Sequence, residues 1–171
     1  MTDQQTLHAD LAASASQGLP MRNGPKPKTS FPGIPHTQLD QLAPHGLQEA
    51  LWGRMSSLAG IETGQSLISV PGARATFLRE GCAGHAQGGC MTGREFAHIH
   101  PPHDGSLHVT LPDEIRADAI AKGWAEPHPL AGTDKAPDTV VMLYGPRDTE
   151  EFEVIWSLVQ ASHRFALGQD G

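Results

Sequence analysis

The chain has 171 residues, of which 38% are hydrophobic, with 19 Gly, 14 Pro and a formal net charge of −7 at pH 7. That length supports one domain with a real core, and the abundance of Gly and Pro favours a loop-rich α+β arrangement over a helical bundle. An acidic chain with no basic stripe makes a poor nucleic-acid binder, no apolar run approaches the roughly twenty residues that span a bilayer, and two cysteines make no disulfide framework, so the expectation is a cytoplasmic protein with neither nucleic-acid nor membrane partners.

Residues 1–35 are polar and then rich in Pro, Gly and Lys, as in Gly24-Pro25-Lys26-Pro27-Lys28 and Phe31-Pro32-Gly33-Ile34-Pro35. They read as a disordered or extended Pro-rich arm, with Phe31 and Ile34 as anchors where it crosses the domain. The start carries an early acid and no apolar stretch, unlike a secretory signal. Residues 36–168 read as a single domain. Leu47, Leu51, Met55 and Leu58 fall at helical spacing and predict a helix over His45–Ala59, with Gly60 closing it. A hairpin is expected next: Ser66–Val70, a turn at Pro71-Gly72, and Ala73–Leu78. A glycine-rich loop over 81–93 follows. Its Cys82-x2-His85-x4-Cys90 has metal-ligand residue types but no fourth ligand and no Cys-x2-Cys knuckle, and reads as a loop with reduced thiols.

The most informative stretch is Glu95–Pro112, with four histidines between His98 and His108. Ala97 and Ile99 alternate on one arm, and Leu107, Val109 and Leu111 on the other, around a Pro101-Pro102-His103-Asp104-Gly105 turn. Burying both apolar sets on one face requires odd positions to pair with odd positions, Ile99 with Leu107 and Ala97 with Val109. His98 then faces His108 and His100 faces Ser106, on the opposite side of the sheet. His103 falls in the turn, in solvent, and Asp104 reads as a brace for that turn.

A short helix is expected from Pro112 to Lys122-Gly123, with Asp113 and Glu114 at the positive end of its dipole. A loop bearing Trp124, Glu126 and His128 leads to Thr139–Tyr144, an unbroken apolar run that suits a strand covered on both faces. Asp148 with Glu151 resembles a capping box, and Phe152, Ile155, Trp156 and Val159 form the apolar stripe of a helix to about Ala166. The fold class is therefore α+β: a single, mostly antiparallel sheet of about five strands with about three helices packed on one face.

His98, His100 and His108 form a candidate metal site, since His-x-His on one strand and a third His beside it suit Zn, Fe or Mn. The same face could equally be a solvated polar surface, or a network that grips an organic ligand without metal. Ser106, Trp124, His128 and Arg147 are candidate ligand-binding residues. Trp124 could instead plug the core, and Arg147 could pair with a neighbouring acid while Asp148 caps the helix. Nothing marks Ser106 as an activated nucleophile, and there is no P-loop, nucleophile elbow or dinucleotide fingerprint.

The order EFAHIHPPHDGSLHVTLP, GWAEPHPLAG and VVMLYGPRD, preceded by SVPGARATFL, resembles the luciferase-like domain family of small bacterial and fungal proteins over roughly residues 40–166. The resemblance implies one compact domain with its site at these motifs, and it supplies no catalytic residues. The resulting expectation is a protein that binds a small molecule, with or without a divalent transition metal, at a histidine-lined sheet face, oxidative in type if it is an enzyme. A cupin-type metal-dependent oxygenase or isomerase and a non-catalytic protein-binding module are the alternatives.

Overall fold

The computed structural model describes residues 18–79 and 87–169. Among them, three helices and one open antiparallel sheet of six strands make an α+β fold. In chain order these are α1 (His45–Met55), β1 (Ile61–Gln65), β2 (Arg74–Leu78), β3 (Glu95–Ile99), β4 (Leu107–Thr110), α2 (Asp113–Ala121), β5 (Ala125–Pro127), β6 (Val140–Leu143) and α3 (Thr149–Ala166). The sheet runs β1-β2-β3-β4-β6-β5, and every neighbouring pair is antiparallel. It ends in two free edges and does not close, so a cupin-type reading has no barrel to rest on.

The central hairpin has the register that alternation demands: Ala97 with Val109, His98 with His108, Ile99 with Leu107. The odd positions join one core with Leu51 and Met55 of α1, Ala119 of α2 and Phe152, Ile155, Leu158 and Val159 of α3. All three helices thus cover the same face, because only that face carries an unbroken apolar surface to bury. Loops cover the other face. A bulge where Thr76 and Phe77 pass β3 shifts the pairing by one residue. It lets consecutive Phe96 and Ala97 both enter the core and turns Glu95 toward the histidines.

Two strands differ from the sequence-based expectation. The first strand is Ile61–Gln65, not Ser66–Val70. Four of its five residues are exposed, so this edge strand carries no alternating signal. Ser66–Val70 is a bend instead, held where Ser66 Oγ and Leu67 N donate to the Glu95 carboxylate at 2.7 and 2.8 Å. The sixth strand, Ala125–Pro127, lies in what reads as a loop; three residues ending in Pro are too short to show a period. Helix α1 also stops earlier than its apolar spacing suggests, at Met55. The long final helix and the buried β6 lie where their patterns place them.

Of the Pro-rich arm, residues 1–17 lie outside the described ones. Residues 18–44 cross the sheet as a strap. Trp124 Nε1 donates to Pro20 O at 2.6 Å, Arg22 N to Lys122 O at 2.9 Å, and Gly145 N to Gln38 Oε1 at 2.9 Å. No helix among the described residues is long and apolar enough to cross a membrane.

The Asp148 carboxylate caps α3 by accepting from Glu151 N at 2.8 Å. Asp148→Ala is expected to cost about 1 kcal/mol. For a domain of this size that lowers Tm by roughly 2–4 °C, which calorimetry reads.

Candidate functional site

Pairing His98 with His108 puts two imidazoles side by side, and His100 lies one residue beyond β3 on the same face. All three are buried. Ring centroids of His98 and His100 lie 5.1 and 4.7 Å from that of His108. Two further histidines arrive from outside the hairpin: His36 from the strap, stacked on His108 at 5.1 Å, and His128 from the loop after β5, at 4.7 Å.

Every ring but His108 is held by a partner on the side away from the cluster. His98 Nδ1 donates to Glu95 Oε1 at 2.8 Å, and His100 Nδ1 to Asp104 Oδ2 at 2.7 Å. His36 Nε2 donates to Glu126 Oε1 at 2.7 Å. The carboxylates are themselves fixed. Asp104 Oδ1 accepts from Ser106 Oγ and N at 2.6 and 3.1 Å, and Glu126 Oε2 accepts from Lys26 Nζ at 2.6 Å and Tyr144 Oη at 3.2 Å. His128 Nδ1 accepts from Leu130 N at 3.1 Å.

The inner nitrogens converge. His98 Nε2 lies 3.1 Å from His108 Nδ1, and His36 Nδ1 lies 3.0 Å from His108 Nε2. Two trios have the mutual spacing a metal ion needs, with ligand atoms within 4.8 Å of one another: His98, His100 and His108, and His36, His108 and His128.

Full burial pushes His108 well below the usual imidazole range, and the neighbouring histidines add to this. Burial lowers His98 against the pull of Glu95, and brings His128 to about 4. Burial alone would raise Glu126, but hydrogen bonds from His36, Lys26 and Thr29 outweigh it and hold the carboxyl at about 2. Burial of Asp104 is outweighed in the same way by His100 and Ser106. In the unfolded chain these imidazoles take up protons near their ordinary value of 6.5, whereas the folded chain resists. Stability is therefore full above that pH and falls as acid drives the neutral rings toward charge, and the two depressed carboxylates act in the same direction below about 4.5. Urea unfolding in a chelator is expected to show a midpoint that drops steadily from pH 7.5 to 5. A flat or rising midpoint would contradict neutral rings in the folded state.

Above the cluster lies a cavity of about 280 Å³. His36, His98, His100, His108 and His128 contribute to its lining, with Ile34, Ile68, Val70, Met91, Leu130 and Val140 as its apolar wall and Lys135 as a cationic member. Of the residues singled out from the sequence, the three hairpin histidines and His128 meet here. Ser106, Trp124 and Arg147 do not line it. Ser106 is buried beside His100 and gives its proton to Asp104. Trp124 sits in the core on the helical face. Arg147 pairs with Glu151 and donates to Gln41 Oε1 and Asn23 O. His103 is exposed, and Asp104 braces the turn. Cys82 and His85 lie outside the described residues; Cys90 is half-buried, and burial pushes its thiol up to about 11. Sequence reasoning missed His36, Glu95 and Glu126 as members of the cluster. Glu95 three residues before His98 was the one available signal, and it became readable only through the bulge.

Residues 93–162 match the family model described as "Luciferase domain". Among curated proteins, the luciferase of Armillaria ostoyae is 40% identical over 73 residues, that of Neonothopanus nambi 41% and that of Armillaria mellea 38%. Each similarity covers 42% of this chain and 27% of the relative, so the chain spans about a quarter of the length of the curated relatives it matches. No solved structure matches. The matched stretch contains the hairpin, Glu95, Asp104, Glu126 and His128, and leaves out the strap with His36. Residues 93–162, which hold the histidine hairpin, are thus the part of the chain that is similar to luciferase domains.

Proposed function

We propose that this chain is a small-molecule enzyme of oxidative type, with a divalent transition metal (Fe, Mn or Zn) held by His98, His100 and His108 at the floor of the cavity. One observation carries the metal: the ring nitrogens of His98 and His36 converge on the two nitrogens of His108, at 3.1 and 3.0 Å. His98 presents a lone pair to His108 Nδ1, because its own proton goes to Glu95. His36 presents a lone pair to His108 Nε2, because its proton goes to Glu126. With all three rings neutral, His108 has one proton for these two contacts, and one pair of nitrogens faces lone pair to lone pair. A cation at that point turns the repulsion into coordination. Imidazoles oriented by carboxylates behind them are the usual second shell of a metal-binding histidine.

Three protein ligands leave positions open to water, dioxygen or substrate. When bound, the ion supplies Lewis acidity and, as Fe or Mn, one-electron chemistry, which Zn does not. The apolar wall suits a small molecule with a hydrophobic body and excludes water around it. With its Nδ1 engaged by Leu130 N, a neutral His128 carries its proton on Nε2, which makes it a hydrogen-bond donor within that wall. An oxygen-dependent oxidation also fits the name that the matched relatives carry.

The test is elemental analysis of protein purified without a histidine tag, followed by reconstitution with Fe²⁺. About one ion per chain is expected. Nitric oxide, a dioxygen surrogate, is expected to give the paramagnetic resonance signal of an iron nitrosyl, which reports an open position. Metal content near zero that Fe²⁺, Mn²⁺ and Zn²⁺ all fail to restore would remove the metal from the proposal. A loaded protein inert to nitric oxide would remove its oxidative character.

A further inference from the structure

Resting on the metal reading above, we infer that His36 and Glu126 are the outer partner of the ligand His108, so that the N-terminal strap positions the metal centre without supplying a ligand, and that the centre takes one ion rather than two.

The sheet sets up the problem. Glu126, Met142, His108, His98 and Ala75 stand in one row across β5, β6, β4, β3 and β2. His98 and His100 each have a carboxylate on the outer nitrogen. The carboxylate in the His108 row, Glu126, is separated from it by Met142. His36 spans that gap. It lies 72 residues from His108 and 90 from Glu126 in sequence, yet its two ring nitrogens reach them at 3.0 and 2.7 Å.

The protons can be placed one by one. Glu126 accepts the Nε2 proton of His36. His36 Nδ1 is then an acceptor and takes the Nε2 proton of His108. His108 Nδ1 is left with a lone pair beside the inner nitrogen of His98. The inner nitrogen of His100 belongs to the same trio, and its outer proton is on Asp104. Every proton then has an acceptor, and three lone pairs are left on a trio whose ligand atoms lie within 4.8 Å of one another. The second trio fails the same count. His128 Nδ1 already accepts from Leu130 N, so a neutral His128 has its proton on the other nitrogen and no lone pair to offer. His36 is therefore a positioning residue that acts through His108.

The strap is built for this role. Lys26 donates to Glu126, and Gln38 N donates to Asp104 Oδ1 at 3.3 Å, so the strap also touches the partner of His100. Gln38 is buried and anchored to Gly145 N. None of these strap residues lies within the matched stretch 93–162.

The test is titration with Co²⁺, followed by its visible bands, in the full chain and three variants. In Glu126→Gln, the Lys26 and Tyr144 donors keep the amide oxygen on their side. The amide N–H₂ then faces His36 and reverses its tautomer, with little change of shape. His36→Leu removes the relay. His36→Gln can still accept from His108 and donate to Glu126. Wild type is expected to bind one Co²⁺. Glu126→Gln and His36→Leu are expected to bind roughly 10–100-fold more weakly, with shifted bands, and His36→Gln to recover most of the loss. Glu126→Gln keeps the test valid if His36→Leu does not fold. Two Co²⁺ per wild-type chain would make His36 a ligand and overturn the inference. Variants that match wild type in affinity and spectrum would overturn it while leaving the metal reading intact. A wild type that binds no Co²⁺ would remove both.

Discussion

His108→Ala is expected to abolish stoichiometric metal binding while the protein stays folded. His108 is the ring on which the whole cluster turns: His98, His100, His36 and His128 all contact it, at centroid distances between 4.7 and 5.1 Å. Loss of an outer partner costs roughly 10–100-fold in affinity, and loss of a ligand itself costs more than that. Removing His108 leaves His98 and His100 as two ligands and strands the His36–Glu126 pair with nothing to orient. Folding should survive, because the core packs on the opposite face of the sheet and loses none of its members. Equilibrium dialysis against Fe²⁺ or Zn²⁺ measures the binding, and circular dichroism of the metal-free protein checks the fold. Binding at wild-type stoichiometry in His108→Ala would sink the proposed ligand set.

Asp104→Ala carries the largest expected loss of stability, about 3 kcal/mol or more, because each buried donor left unsatisfied costs about 1–3 kcal/mol. Asp104 is 1% exposed and accepts from four donors: His100 Nδ1, Ser106 N, Ser106 Oγ and Gln38 N. Alanine leaves all four without it, in a place where water does not readily replace it. Asp104→Asn separates structure from chemistry. The two Ser106 donors keep the amide oxygen at the Oδ1 position, so the amide N–H₂ faces His100 Nδ1. That moves the His100 proton to Nε2 and blocks the lone pair the metal needs. Urea unfolding should find Asp104→Asn much more stable than Asp104→Ala, while dialysis finds its metal affinity lowered as well. An Asn variant that binds metal as wild type does would show that the tautomer of His100 is immaterial.

Some of this architecture is a local property of the chain. The alternation Ala97-His98-Ile99 against Leu107-His108-Val109 admits one register that buries the apolar residues together, and the backbone adopts it. The α3 stripe of Phe152, Ile155 and Val159 is legible for the same reason, as is the doubly covered β6. Patterns of this kind record which face meets hydrocarbon, and a residue needs only its near neighbours to declare it. Where a segment is solvated on both sides or only three residues long, as in β1 and β5, no period exists to read.

The site is divided along the same line. That His98, His100 and His108 share a side of the sheet was determined by sequence alone, since alternation in a hairpin is stereochemistry. Which groups close over that side was decided only by the tertiary structure. His36 reaches the cluster from 72 residues away, it links His108 to Glu126 past the strand that separates them, and a bulge turns Glu95 to the polar face. Trp124 and Arg147, which looked eligible as loop residues, are drawn elsewhere, one into the core and one to Glu151. A hydrogen bond between distant residues leaves no periodic trace in the chain, because its partners are chosen by where the sheet and strap bring them together in space.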